Sequence, residues 1–123
     1  MPPRKVILLG CEFLFNEELG SRLRGEGHIV HPYDNVDDLI TRLNNKRFPA
    51  QLVIHDLTHD PVGGVDTIKL VVEKNIPILA IGPHKDTQLL DKARAANATK
   101  VIVNSQASKS IETIVKELLG SEQ

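Results

Sequence analysis

Cysteine is almost absent: Cys11 stands alone among 123 residues. A single thiol excludes an internal disulfide framework and fits a reducing compartment. Tryptophan is missing and aromatic residues make up 3% of the chain, too few for the stacking platforms that hold single-stranded nucleic acid. Neither charge sign is in surplus, since 15 Lys and Arg face 16 Asp and Glu for a formal net charge of −1. Without a pooled basic run, direct binding of nucleic acid or of a membrane surface is not expected. Uninterrupted apolar runs stop at four or five residues, far short of the ~20 that cross a bilayer. No apolar signal-peptide core follows Met1-Pro2-Pro3-Arg4, so the expected location is cytoplasmic. There is no G-x-G-x-x-G, no Walker loop and no nucleophile elbow, which argues against a nucleotide cofactor and against serine hydrolase chemistry.

What is present is 41% hydrophobic residues in a strict alternation of short β-rich runs and amphipathic stretches. Val6-Ile7-Leu8-Leu9, Leu52-Val53-Ile54 and Ile76 to Ile81 are continuous apolar runs, the pattern of strands buried on both faces. His28 to His31, closed by Pro32, and Val101-Ile102-Val103 are shorter runs. Between them, Leu14, Phe15, Leu19 and Leu23 recur at helical spacing, as do Val36, Leu39, Ile40 and Leu43. The same spacing joins Val65, Ile68, Val71 and Val72, then Leu89, Leu90, Ala93 and Ala96, then Ile111, Ile114, Val115, Leu118 and Leu119. Asn35 and Ser108 are the cap candidates for the second and last helices. Five βα units over residues 1–123 predict one α/β domain, a flavodoxin-like three-layer sandwich whose parallel five-stranded sheet runs in the order 2-1-3-4-5. In that order the second strand is an edge, where His28 and His31 would blunt strand pairing.

Function in such sheets gathers at the C-terminal ends of the strands, which here offer Gly10, Cys11, Glu12, Asp56 to Asp60, Gly82 to His84 and the residues from Asn104 onward. From Lys5 to about Leu119 the chain resembles a response-regulator receiver domain. The likeness lies in a register of landmarks. Asp56 ends the third strand, where receivers carry their phospho-accepting aspartate. Gly64 follows eight residues later, Pro77 opens the fourth strand, and Ala96-Asn97-Ala98 stands where receivers read Gly-Ala. The stretch from Leu14 to Val30 fits the first helix and second strand without a gap.

The resemblance also implies a catalytic set, and this chain departs from it. Gly10 and Cys11 replace the two acidic residues that bind a divalent metal, with Glu12 one register step away. Gly82 replaces the threonine or serine of the fourth strand, Asn104 the lysine of the fifth, and Val101 the aromatic switch residue. Phosphoryl transfer to a carboxylate is mostly positioning and charge neutralisation. Mg²⁺ wants oxygen ligands, which a glycine backbone and a soft thiol supply poorly, so it would bind weakly at most. Asn104 carries no charge to pair with a phosphoryl oxygen. The implied function is therefore that of a pseudo-receiver, a non-enzymatic signalling domain that acts through protein contacts while Asp56 stays unphosphorylated.

Two alternatives remain: a divergent receiver still phosphorylated on Asp56 with help from Glu12, and a small phosphocarrier or enzyme using Cys11. The second resembles the phosphocysteine loop of the IIB components of sugar phosphotransferase systems. However, Glu12-Phe13-Leu14-Phe15 is acidic and bulky where that loop is small and hydroxylated. A half-buried, inert thiol is the expectation for Cys11. The run His55-Asp56-Leu57-Thr58-His59-Asp60, with Glu12 or His84, is the one candidate metal cluster, but strand alternation sends His55 and Asp56 opposite ways. Without a cation beside it, Asp56 should keep some solvent access. Phe13, Phe15 and His84 are the candidates for plugging the pocket. The partner expected is another signalling protein or a second copy, met through the fourth helix, fifth strand and fifth helix. That face carries Lys92, Arg94, Lys100, Lys109 and Lys116 against Asp91, Glu112 and Glu117.

Overall fold

The structure, a computed structural model, is described for residues 5–120. The reading of residues 1–4 falls outside this range. The elements follow as β1 (Val6–Gly10), α1 (Phe13–Gly25), β2 (Ile29–Pro32), α2 (Val36–Leu43), β3 (Leu52–Asp56), α3 (Gly64–Val72), β4 (Ile78–Gly82), α4 (Thr87–Ala95), β5 (Lys100–Val103) and α5 (Asn104–Gly120). A single 3₁₀ turn, Asp60–Val62, lies between β3 and α3. All strand pairs are parallel and the order is β2-β1-β3-β4-β5, as the alternation predicts.

Burial explains why the strands read as they do. Every residue of β1, β3 and β4 is buried, because these central strands have helices on both faces. The edge strands β2 and β5 are only partly buried. Successive side chains then feed two cores. Ile7, Leu9, Leu52, Ile54, Leu79 and Ile81 pack with Leu19 and Leu23 of α1 and Ile111 and Val115 of α5. Leu8, Val53, Ile78 and Ala80 pack on the other face with Leu39 of α2, Ile68 and Val71 of α3, and Leu90 and Ala93 of α4. Each such fully buried Leu or Ile contributes about 1.5–3 kcal/mol.

Three differences from the expected boundaries have a physical reason. Pro32 belongs to β2 rather than ending it, which an edge position permits because its missing N–H faces no neighbour. Strand β4 starts at Ile78, since Pro77 offers only its carbonyl, which accepts from the Val53 N–H at 3.0 Å. Helix α5 begins at Asn104, so Ser108 is not its cap. A kink sits at Ser110 (φ −139°, ψ 24°), two residues beyond the predicted cap. Arg22 of α1 straps this region: its fork donates to both Glu112 carboxylate oxygens at 2.8 and 2.5 Å and to the Ser108 carbonyl at 2.5 Å. The Arg22 hydrogen bond holds the Glu112 carboxyl down at about 2 and raises the guanidinium in turn.

Candidate functional site

The C-terminal ends of β1, β3 and β4 bring Gly10, Cys11, Asp56 and Gly82 to one edge of the sheet. Register places Gly10 beside His55 and Asp56 beside Ile81. Alternation separates what the sequence makes adjacent. Cys11 belongs to the α1/α5 core, whereas Tyr33 packs in the core of the other face.

Tyr33 is the residue that sequence reasoning missed. It is fully buried one position past β2, and its N–H donates to the Leu9 carbonyl at 3.1 Å, continuing the β1–β2 ladder. That continuation lays its ring across Gly10. A Cβ built on Gly10 would fall on the Tyr33 ring, 2.6 Å from the hydroxyl. The space where an acidic side chain at position 10 would start is therefore filled by phenol. The plug candidates named from sequence do not do this. Phe13 is 71% exposed, His84 is exposed, and Phe15 packs against the α1/α5 core.

Tyr33 is held in place by His55. The two rings lie nearly parallel, 7° apart in plane with centroids 6.4 Å apart. His55 Nε2 is 2.7 Å from the Gly64 carbonyl, which can only accept, so Nε2 carries the proton. Nδ1 then accepts from the Tyr33 hydroxyl at 3.0 Å. Burial lowers the His55 pKa and keeps the ring neutral. The Gly64 carbonyl is presented by a turn in which Gly63 and Gly64 both take positive φ (86° and 54°). A side chain at Gly63 would also collide with Thr67 and Val36. Both ring nitrogens of His55 are thus engaged within the protein, by Tyr33 and Gly64.

Asp56 is buried, at 4% exposure, which corrects the expectation of solvent access. One of its carboxylate oxygens is satisfied locally. Oδ1 accepts from the Thr58 N–H at 3.0 Å and from the Thr58 hydroxyl at 2.7 Å. Neither donor is a cation. Cys11 is more buried than expected, at 2%; burial first, then the charges of Asp56 and Glu12, push its thiol well above the ordinary range. A thiol held in that form is a poor nucleophile.

The other pocket positions are committed elsewhere. Glu12 is the N-cap of α1, accepting from the Phe15 N–H at 2.7 Å, while Asn16 accepts from the Cys11 N–H at 2.9 Å. A Cβ on Gly82 would sit 3.0 Å from Leu90 and 3.2 Å from Leu57, so the position of the receiver hydroxyl is walled by leucines. Asn104 is exposed at the first turn of α5, and Val101 packs against the α2–α4 core. Among the described residues, no three His, Cys, Asp or Glu side chains gather in a way that could hold a metal ion.

Several solved structures of the same shape are described as response regulators or their receiver domains. NtrX from Brucella abortus superposes with a TM-score of 0.85 at 16% identity over 97% of this chain. A CheY-like response-regulator receiver domain protein from Methanospirillum hungatei gives 0.84 at 14% identity, covering 98% of this chain and 97% of that one. The chain has the response-regulator receiver fold. A two-component response regulator from Clostridium difficile gives 0.84 at 13% identity over 98% of this chain and 99% of that one. This receiver fold spans only 27% of the NtrX chain. No family model matches the sequence, and no curated protein matches it. Among the described residues, no helix is long and apolar enough to cross a membrane.

Proposed function

We propose that this receiver-fold chain is a pseudo-receiver of two-component signalling, a non-enzymatic cytoplasmic domain whose output is a protein contact independent of Asp56 phosphorylation. The observation that carries this reading is the Tyr33 ring over Gly10, locked by His55 and Gly64. A receiver assembles Mg²⁺ on acidic side chains at positions 10 and 11. Here one position is covered by phenol and the other is a protonated, buried thiol. Asp56 has lost the cations that neutralise an incoming phosphoryl group, and Thr58 occupies one of its oxygens.

The partner face sharpens with the ion pairs. Glu112 is taken by Arg22 inside the protein, and Arg94 pairs with Asp91 at 2.9 Å. Across α4, β5 and α5 this leaves Lys92, Lys100, Lys109 and Lys116 against Glu117. An isologous dimer needs a self-complementary patch, so this basic face suits an acidic signalling partner better than a second copy.

The test is incubation with Mg²⁺ and acetyl phosphate, followed by intact mass. The proposal expects an unchanged mass. A phosphoryl group on Asp56 would overturn it in favour of a working receiver, and one on Cys11 in favour of a phosphocarrier.

A further inference from the structure

Away from the Asp56 edge, β2 and the end of α2 enclose a cavity of about 360 Å³ lined by Leu8, Ile29, His31, Arg42, Asn45 and Phe48. Its volume lies within the ~300–1,000 Å³ of small-molecule sites. The construction follows from the edge position of β2. Ile29 and His31 are alternate residues and share one face of the strand. Leu8 pairs with His31 on the neighbouring strand and supplies an apolar floor. The loop after α2 then folds over this face. Asn45 Oδ1 accepts from the N–H groups of Arg47 and Phe48 at 3.0 and 3.4 Å. That turn sets the Phe48 ring as a wall, with 56% of the residue left in water.

The polar groups converge as donors. The Arg42 side chain lines the cavity and is 36% exposed; its Nε is buried 3.4 Å from Asp38 Oδ1, out of line for a hydrogen bond, so the outer guanidinium nitrogens are the end open to a ligand. The Asn45 carbonyl oxygen is spent on the turn, so its amide N–H₂ is the end free to donate. Lys46 and Arg47, exposed between Asn45 and Phe48 in the chain, add positive charge to the same loop. A cavity with an apolar floor, an exposed aromatic wall and the outer end of a guanidinium has the complement of an amphiphile with one negative end. Asp38 beside Arg42 limits the charge the site can accept, which favours a monoanion over a phosphate dianion.

We propose that this cavity binds a small aryl carboxylate. The carboxylate would accept from Arg42 and Asn45, and the ring would lie between Phe48 and the floor of Leu8 and Ile29. The site is independent of Asp56 and of the pseudo-receiver proposal.

Phenylacetate is the probe, titrated into the isotope-labelled chain and followed by amide NMR shifts. Phenethyl alcohol lacks the charge and acetate lacks the ring, so each serves as a comparison. The proposal expects saturable shifts confined to the amides of Leu8, Ile29, His31, Arg42, Asn45 and Phe48 and their chain neighbours. Affinity should fall about tenfold or more for phenethyl alcohol and for Arg42→Gln, the loss of one charge-assisted hydrogen bond. Phe48→Ala should weaken binding similarly through the lost ring contact. Arg42→Gln should stay folded because its i,i+4 pair with Asp38, at 3.4 Å with side chains 36% and 33% exposed, contributes little; the unbound spectrum checks this. Absent saturation, shifts centred elsewhere, or equal affinity for Arg42→Gln would each overturn the proposal.

Discussion

Gly10 and Tyr33 should be thermodynamically coupled, and a double-mutant cycle measures by how much. Gly10 lies in β1 between β2 and β3, its backbone buried and paired with His55. It cannot move aside, so the methyl of Gly10→Ala must displace the Tyr33 ring. Overpacking of this kind costs about 1–3 kcal/mol. Tyr33→Ala removes a fully buried ring and should cost about 3–5 kcal/mol, as for other large aromatic truncations. It also removes the hydrogen bond to His55; where the displaced ring of Gly10→Ala loses that bond too, the loss adds to the coupling with the same sign. In the double variant the methyl meets empty space, so the overpacking disappears. The double variant should therefore be less destabilised than the sum by about 1–3 kcal/mol. Urea unfolding at fixed pH is the assay; with a slope of about 1.5 kcal/mol per molar, 1.5 kcal/mol moves the midpoint by about 1 M. Additive effects would refute the claim that the ring closes position 10.

Two further outcomes follow from the ionisation states. His55 is held neutral, so the unfolded chain takes up a proton near pH 6.5 that the folded chain refuses. Stability is full above pH 6.5 and falls as pH drops toward the lowered folded value; the raised Cys11 and Tyr33 bring the reverse loss as pH rises past 9 and 10. Urea midpoints against pH should show a plateau between these limits, and a maximum below pH 6.5 would contradict the buried neutral imidazole. Separately, the Glu112 carboxyl should titrate near 2 by NMR and return toward its ordinary 4.5 in Arg22→Gln; an unmoved titration would mean that the Arg22 fork is not formed in solution.

The sheet was legible because the three central strands read as near-continuous apolar runs, broken only at the end of β3 by His55 and Asp56, as a parallel sheet covered on both faces requires. Asp56, Gly10, Cys11 and Gly82 could likewise be placed from register alone. Their surroundings could not. Asp56 is buried because Thr58 supplies two donors from a turn that hydrophobic periodicity does not register. The start of α5 was hidden because Asn104 to Ser110 has no apolar stripe; the helix there hangs on Arg22 from another element. Tyr33 carries no periodicity signal, since it follows a proline that reads as the end of a strand. The available signal was the pairing of Leu9 with Pro32, which, extended by one residue, puts the chain's single tyrosine beside a glycine. An aromatic set across from a strand glycine commonly covers it.

The central claim is that Tyr33 and a protonated Cys11 stand where a receiver would assemble its metal site. The most direct measurement is a Mg²⁺ titration followed by the amide resonances of Gly10, Cys11, Asp56 and Thr58. The account predicts no saturable shift at these four amides at millimolar Mg²⁺, in the wild type as in Asp56→Asn. Saturable shifts centred on them, abolished by Asp56→Asn, would contradict it.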